Sequence, residues 1–401
     1  MSLIQATPAA PTEATPLSPG DSLWLYALFA LLATAGFFYV NIMSAIVDGL
    51  VTGLGFSNAE AGVVGSANIY GASFGSLIAV FIVRHLPWRR TLFTLLCLLL
   101  CIDLASIAID QVTLLTAVRA VHGLIGGMAV GVTYSAMART RSPDRAFGML
   151  LMVQFGLGGL GVMFLPGLVP EYGARVLFLV LAGVTTAALL ATFAIPPINA
   201  RERTQDNATY PPLERRRRLT AGFTLLAMFL FQAGNMALAA FIIGLGEHFG
   251  LKRDFISLAL GWATWIGAVG AILVIVLGTR MGRMRPLLVA LLLTLIGNAA
   301  FWWSANQTWF FIANIGTAVT WSFVVPYLFG MLSRLDPSGR LATLGGFLSK
   351  LGLASGPLAA GLLLHSGNYR LLIGVSTAVL ALSAIMALIA AKRSDQTEDT
   401  T

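Results

Sequence analysis

Apolar runs of about twenty residues alternate with short polar turns along the chain from Ser22 to Ala391, and one longer polar interval, Pro196 to Leu219, divides them. Twelve runs stand out, at roughly 22–47, 58–83, 90–109, 113–138, 146–169, 174–195, 220–246, 255–279, 286–304, 308–332, 341–364 and 369–391. At a rise of about 1.5 Å per residue each can cross a hydrocarbon core about 30 Å thick. Backbone groups in lipid need partners inside their own segment, so the pattern predicts twelve helices, spans 1 to 12. It also predicts an order along the chain: a disordered tail at 1–21, a six-helix bundle at 22–195, a basic linker at 196–219, a second six-helix bundle at 220–391 and a short tail at 392–401. The first stretch is rich in Pro, Thr and Ala and lacks a positive start, so it does not read as a signal peptide.

Composition agrees with the pattern. Hydrophobic residues make up 57% of the 401 and charged residues only 10%, with a mean hydropathy of +0.83, where a soluble domain carries about 25% charged residues. The net charge of +8 does not point to nucleic acid, because Lys and Arg collect in the turns between apolar runs. With the N-terminus placed in the cytoplasm, the inner segments hold nineteen of the 25 basic residues and the outer segments four, Arg175, Lys252, Arg253 and Arg370. The inner set includes Arg84, Arg89 and Arg90, then Arg280, Arg283 and Arg285, and the linker's Arg201, Arg203 and Arg215 to Arg218. This asymmetry predicts that both termini are cytoplasmic. The linker arginines are expected to fix topology and meet anionic headgroups.

The halves repeat. A shift of 194 to 196 positions lays Asn41 on Asn235, Gly65 on Gly261, Gly71 on Gly267, Arg84 on Arg280 and Gln154 on Lys350. Weak symmetry between two six-helix halves points to a transporter whose solute site lies between them near the bilayer midplane.

Three stretches then carry a resemblance. The turn Gly278-Thr-Arg280-Met-Gly282-Arg283-Met-Arg285, span 4 with Arg119-Ala-Val-His122-Gly123, and span 11 with Gly352, Gly356, Pro357 and Gly361 are similar to motifs of the major facilitator superfamily. The family usually carries Asp where Thr279 stands, and the first-half copy of the turn, at Arg84, Arg89 and Arg90, lacks it too. The resemblance covers 22–391. It implies an all-α membrane protein of two pseudo-symmetric six-helix bundles, a monomer, alternating access to a central site, and a cytoplasmic gate at Arg84, Arg89, Arg90, Arg280, Gly282 and Arg283. It also implies coupling or conformational roles for span 4, here Arg119 and His122. Asp103, the one clearly intramembrane acid, joins them as a candidate.

Candidate solute contacts are Asn41, Arg119, Gln154, Gln232, Asn235 and Lys350, with Trp262, Trp265 and Trp321 as apolar walls. Lys350 falls near the middle of span 11, and ionisable groups at that depth need a partner. Pairing with Asp103 is not expected, since in the family span 3 lies largely outside the cavity, so a solute anion is the candidate counter-charge. The expected substrate is a small organic anion, a carboxylate, with proton coupling as the energy source. The alternative is proton-driven efflux of drugs or metabolites. Asp48, at the outer end of span 1, is expected to be solvated, and Cys97 and Cys101 to be packing residues.

Other classes fit poorly. His85, His122, His248 and His365 are scattered, no phosphate-binding glycine–lysine loop is present, and no His, Cys or carboxylate group has metal-ligand spacing. Neither an enzyme nor a cofactor or metal is expected. Short loops without added domains point to a bacterial inner membrane.

Overall fold

The computed structural model describes residues 23–82, 87–137, 140, 143–195, 215–277, 281–336 and 340–398. Arg84 and Arg280, the tail at 1–22 and the linker over 196–214 lie outside these residues. Among these described residues fourteen α-helices follow in order: α1 (Leu23–Asn41), α2 (Met43–Leu54), α3 (Asn58–Ile82), α4 (Trp88–Ser106), α5 (Val112–Met137), α6 (Pro143–Tyr172), α7 (Arg175–Ala194), α8 (Arg215–Ala240), α9 (Ile242–His248), α10 (Arg253–Leu277), α11 (Met284–Ala300), α12 (Gln307–Leu335), α13 (Arg340–Leu363) and α14 (Tyr369–Glu398). Eleven are long and apolar enough to cross a membrane. The twelfth span is α4, whose apolar run is interrupted by Arg89, Arg90 and Asp103.

Two of the spans expected as single helices are broken. Span 1 is carried by α1 and α2, separated at Ile42 (φ −112°, ψ 25°), and span 7 by α8 and α9, separated at Phe241 (φ −109°, ψ 16°). Each half therefore bends its first helix at the same stage, which hydropathy does not register because the residues at both bends are apolar. At the chain's end, α14 continues to Glu398 instead of stopping near 391. Cys97 is half-buried and Cys101 exposed, so both lie toward the outer face of α4 rather than in its packed face.

Small residues let backbones meet. In the first half Gly71, Gly75, Gly123 and Gly127 each face a backbone carbonyl across the α3–α5 seam, leaving no room for a Cβ. In the second half Gly270 does the same against Val319 O of α12, and Gly267 stands against the Ala318 side chain.

The apolar core has three parts. One runs through both halves and includes Ile46, Leu50, Val169 and Leu177 from the first with Leu245, Ile256, Phe310 and Leu372 from the second. The other two belong to one half each: Leu28, Leu96 and Ala188 in the first, Met228, Leu291 and Leu328 in the second. The shared part lies away from the arginine-rich turns and the two separate parts lie beside them. The halves are thus joined at one end and divided at the arginine-bearing end.

Candidate functional site

A cavity of about 330 Å³ lies between the halves. Its polar lining comprises Asn41, Ser44, Gln154, Gln232, Asn235, Thr264, Asn298, Asn314, Thr317 and Ser322, and its aromatic lining Phe37, Phe155, Phe301 and Trp321. Both broken helices border it: Asn41 and Met43 flank the Ile42 break, and Ala239 and Ile242 flank the break at Phe241. An apolar wall with a few convergent polar groups is the usual make-up of a small-molecule site.

Of the six expected solute contacts, four stand on this lining: Asn41, Gln154, Gln232 and Asn235. Their availability differs. Gln232 is engaged at both amide atoms, donating to Ser349 Oγ at 2.7 Å and accepting from the Trp321 indole N–H at 2.7 Å, so it ties α8 to α12 and α13. Asn41 Nδ2 is buried with no hydrogen-bond partner among the described residues. Trp321 lines the cavity, whereas Trp265 donates to Gly156 O across the α6–α10 seam and Trp262 is half exposed on the outer face.

Lys350 is not on the lining itself. It stands at the α3–α13 seam, donating to Ser76 Oγ at 2.7 Å, with its ammonium 5.8 Å from the centre of the Phe37 ring. The other face of that layer is the cavity, since Phe37 and Leu353 both line it. No carboxylate among the described residues comes within ion-pair distance of Lys350.

Arg119 is placed elsewhere than the cavity. It is fully buried within the first half, where its guanidinium donates to Asp103 Oδ1 at 3.0 Å, to Ile102 O at 3.2 Å and to Ser106 Oγ. Its Cζ lies 5.0 Å from the Phe178 ring centre, a cation–π distance. His122 Nε2 lies 3.1 Å from the same Asp103 oxygen. Asn68 Nδ2 donates to Arg119 O at 3.2 Å, which fixes that amide's orientation, and sits 2.8 Å from His122 Nδ1. Nδ1 must therefore accept and Nε2 carry the proton toward Asp103. Thr185 Oγ1 donates to Asp103 Oδ2 at 3.4 Å. The three ionisable side chains form one closed network linking α3, α4, α5 and α7.

A second ion-pair group joins the halves at the end away from the arginine turns. Arg253, the first residue of α10, makes two hydrogen bonds to Asp48 of α2, at 2.6 and 3.1 Å, another to Pro166 O of α6 at 3.2 Å, and an ion pair with Glu247 at 2.7 Å. Asp48 is only 7% exposed. It is thus buried and paired across the halves, not solvated, because the two half-structures close over it.

At the arginine-bearing end, Gly282 takes a left-handed conformation (φ 68°), and the main-chain N–H groups of Arg283 and Met284 point at the Asp395 carboxylate, 3.1 to 3.3 Å away. Arg283 reaches Ser394 Oγ at 2.8 Å. A carboxylate at the N-terminus of α11 meets unsatisfied N–H donors and a favourable dipole. The acid absent at Thr279 has a counterpart here on α14. Arg89 donates weakly to Phe193 O at 3.4 Å, and Arg90 is exposed.

The sequence reading did not single out Asn298, Asn314 or Thr317 on the cavity, or the partners Asp48–Arg253 and Asp395. The half-to-half shift was the available signal for the first three, since 195 positions separate them from Asp103, Arg119 and His122.

The comparisons with known proteins agree with this architecture. The family model described as Major Facilitator Superfamily matches residues 27–349 and 224–401. The cyanate transport protein CynX of Escherichia coli (strain K12) is 26% identical over 263 residues, which span 61% of this chain and 66% of that protein. Among solved structures, the nucleoside transporter NupG superposes with a TM-score of 0.72 at 12% identity, covering 92% of this chain and 99% of that one. A mutant of the peptide transporter POT gives 0.71 at 16% identity, covering 92% and 95%. At these identities the superpositions speak for the fold. With broken first helices in each half, a cavity between two six-span bundles and a family match across both, the chain is an integral, multi-pass membrane protein belonging to the major facilitator superfamily.

Proposed function

We propose that this transporter carries a small organic anion, a carboxylate, by alternating access. The observation that carries the reading is Lys350. Lys350 is half-buried, and an ammonium drawn from water inside a membrane protein is expensive unless a counter-charge meets it. Its partners among the described residues are the Ser76 hydroxyl and the Phe37 ring, and Phe37 lines the cavity. An anion in the cavity supplies the missing charge. The CynX relative is named for cyanate, an anion, which supports the same class. The efflux alternative calls for a carboxylate in the cavity to meet a cationic drug, and the lining among the described residues is amide, hydroxyl, aromatic and aliphatic.

In this reading the arginine-bearing end faces the cytoplasm of a bacterial inner membrane, with both termini there. The halves are held together at the other end and the cavity faces inward. Asp103, Arg119 and His122 take the coupling role, a proton entering the cycle by breaking their closed network. Uptake rates indifferent to an imposed pH gradient would remove that role.

Purified protein titrated with short carboxylates tests the main reading. A ligand that binds the folded state raises apparent stability by RT ln(1 + [L]/Kd). Carboxylates should shift the wild type, and Lys350→Gln should weaken their binding by tenfold or more while leaving the unliganded melting temperature unchanged or higher. Equal carboxylate affinity in the two proteins sinks the proposal, as does a response confined to hydrophobic cations.

A further inference from the structure

The repeat carries its own contrast. A shift of 195 takes Asp103, Arg119 and His122 to Asn298, Asn314 and Thr317, and a similar contact recurs near that register: Thr185 reaches Asp103 in the first half, and Asn298 reaches Thr377, 192 positions after Thr185, at 2.8 Å in the second. The scaffold is the same and the charges are gone. The first-half set is sealed inside its bundle, whereas all three second-half residues line the cavity.

The amide orientations in this second set are fixed by chemistry. Asn314 contacts Phe310 O at 2.8 Å and Asn235 contacts Phe231 O at 2.9 Å. A carbonyl only accepts, so the contacting atom in each is Nδ2. Thr377 spends its proton on Ile373 O at 2.7 Å, so it too accepts, and Asn298 donates to it through Nδ2. Each asparagine thus commits its nitrogen to the protein and keeps its Oδ1 without a hydrogen bond among the described residues. Three side chains from α8, α11 and α12, all on one cavity, hold back the same kind of atom.

We infer that Asn235, Asn298 and Asn314 form an acceptor face that selects solutes bearing N–H or O–H groups. Combined with Lys350, and resting for the anion on the reading above, the substrate is a carboxylate that also carries a hydroxyl, amine, amide or ureido group. A solute that displaces water from these oxygens without donating leaves them unpaired, which weakens binding by about tenfold for each oxygen so stranded.

The test compares matched probes on the purified wild-type protein: 3-hydroxybutyrate, 3-methoxybutyrate and butyrate, then butyramide and N,N-dimethylbutyramide. The hydroxyl-bearing acid should bind about tenfold tighter than both the capped and the bare acid, and the bare acid separates lost donation from added bulk. Asn314→Ala should erase the difference; Asn235→Ala serves if that variant does not fold. Equal binding of capped and uncapped probes by the wild type, zero binding included, overturns the inference. If butyramide binds and its dimethyl form does not, while no acid binds, the acceptor face stands and the carboxylate reading falls.

Discussion

At the scale of single residues, Asp103 and Arg119 set the sharpest energetic problem. Both side chains are fully buried, and one Asp103 oxygen receives both Arg119 and His122. Removing one member leaves a buried charge unmatched, at a cost of about 3–5 kcal/mol, whereas removing both ends of the pair is often close to neutral. The second half displays the neutral solution in the same scaffold, with Asn298 and Asn314 at the equivalent positions. Asp103→Asn and Arg119→Asn should therefore each destabilise the protein severely, and the double variant should melt nearer the wild type than either. Additive losses in thermal unfolding of the three purified variants contradict this account. The sequence exposed Arg119 and Asp103 because a charge in an apolar run is conspicuous. It did not expose their pairing, which depends on how α4 and α5 rotate against each other. Asn298 and Asn314 drew no attention because an amide in an apolar run is unremarkable, even though the repeat pointed to them. Lys350 was visible as an unmatched cation, but whether it stands on the cavity or behind Phe37 is a matter of helix rotation that spacing does not encode.

At the scale of helices, glycine serves two separable purposes. Gly123 faces Asn68 O within the first half, where α3 and α5 must remain in contact through any cycle that moves the halves as units. Gly62 faces Pro357 O and Gly361 faces Asn58 O, across the α3–α13 seam between the halves. A methyl group fits at none of the three without backbone movement. Gly123→Ala should lower the melting temperature by forcing apart a permanent seam. Gly62→Ala and Gly361→Ala should instead disfavour the state in which the halves meet at this end, with less loss of stability, since that seam opens when the halves rock. Distances between spin labels on α3 and α13 measure the second effect, and equal destabilisation by all three variants shows that the seams are alike. The number of spans and the small-residue stripes were readable in hydropathy and composition. The breaks at Ile42 and Phe241 were not, because both lie inside spans that are apolar overall and neither carries Gly or Pro at the bend.

At the scale of the whole molecule, one end is sealed by apolar packing and by a single arginine. Arg253 joins Asp48 and Pro166 of the first half to Glu247 of the second, on a partly buried site beside the shared core. Truncating one partner of a buried, hydrogen-bonded charge pair costs about 2–5 kcal/mol, and each 1.4 kcal/mol changes a population ratio tenfold. Losing this group in the closed-end state, and gaining nothing in the other, should therefore shift the balance toward opening by at least an order of magnitude. Asp48→Asn keeps the shape and some hydrogen bonding to Arg253, so its effect should be the smaller; Arg253→Gln removes the charge from all three contacts. With Cys97 and Cys101 replaced by serine, a cysteine at Ser44 on the cavity lining reports the change. A membrane-impermeant thiol reagent added from the Asp48 side should label it about tenfold faster in Arg253→Gln than in the parent. Unchanged labelling, with folding intact, means that the apolar core alone holds this end shut and that the ion pairs only orient α10. Faster labelling places the energetic balance of the transport cycle in a cluster of four residues, at the opposite end from the arginine turns that the sequence brings first to notice.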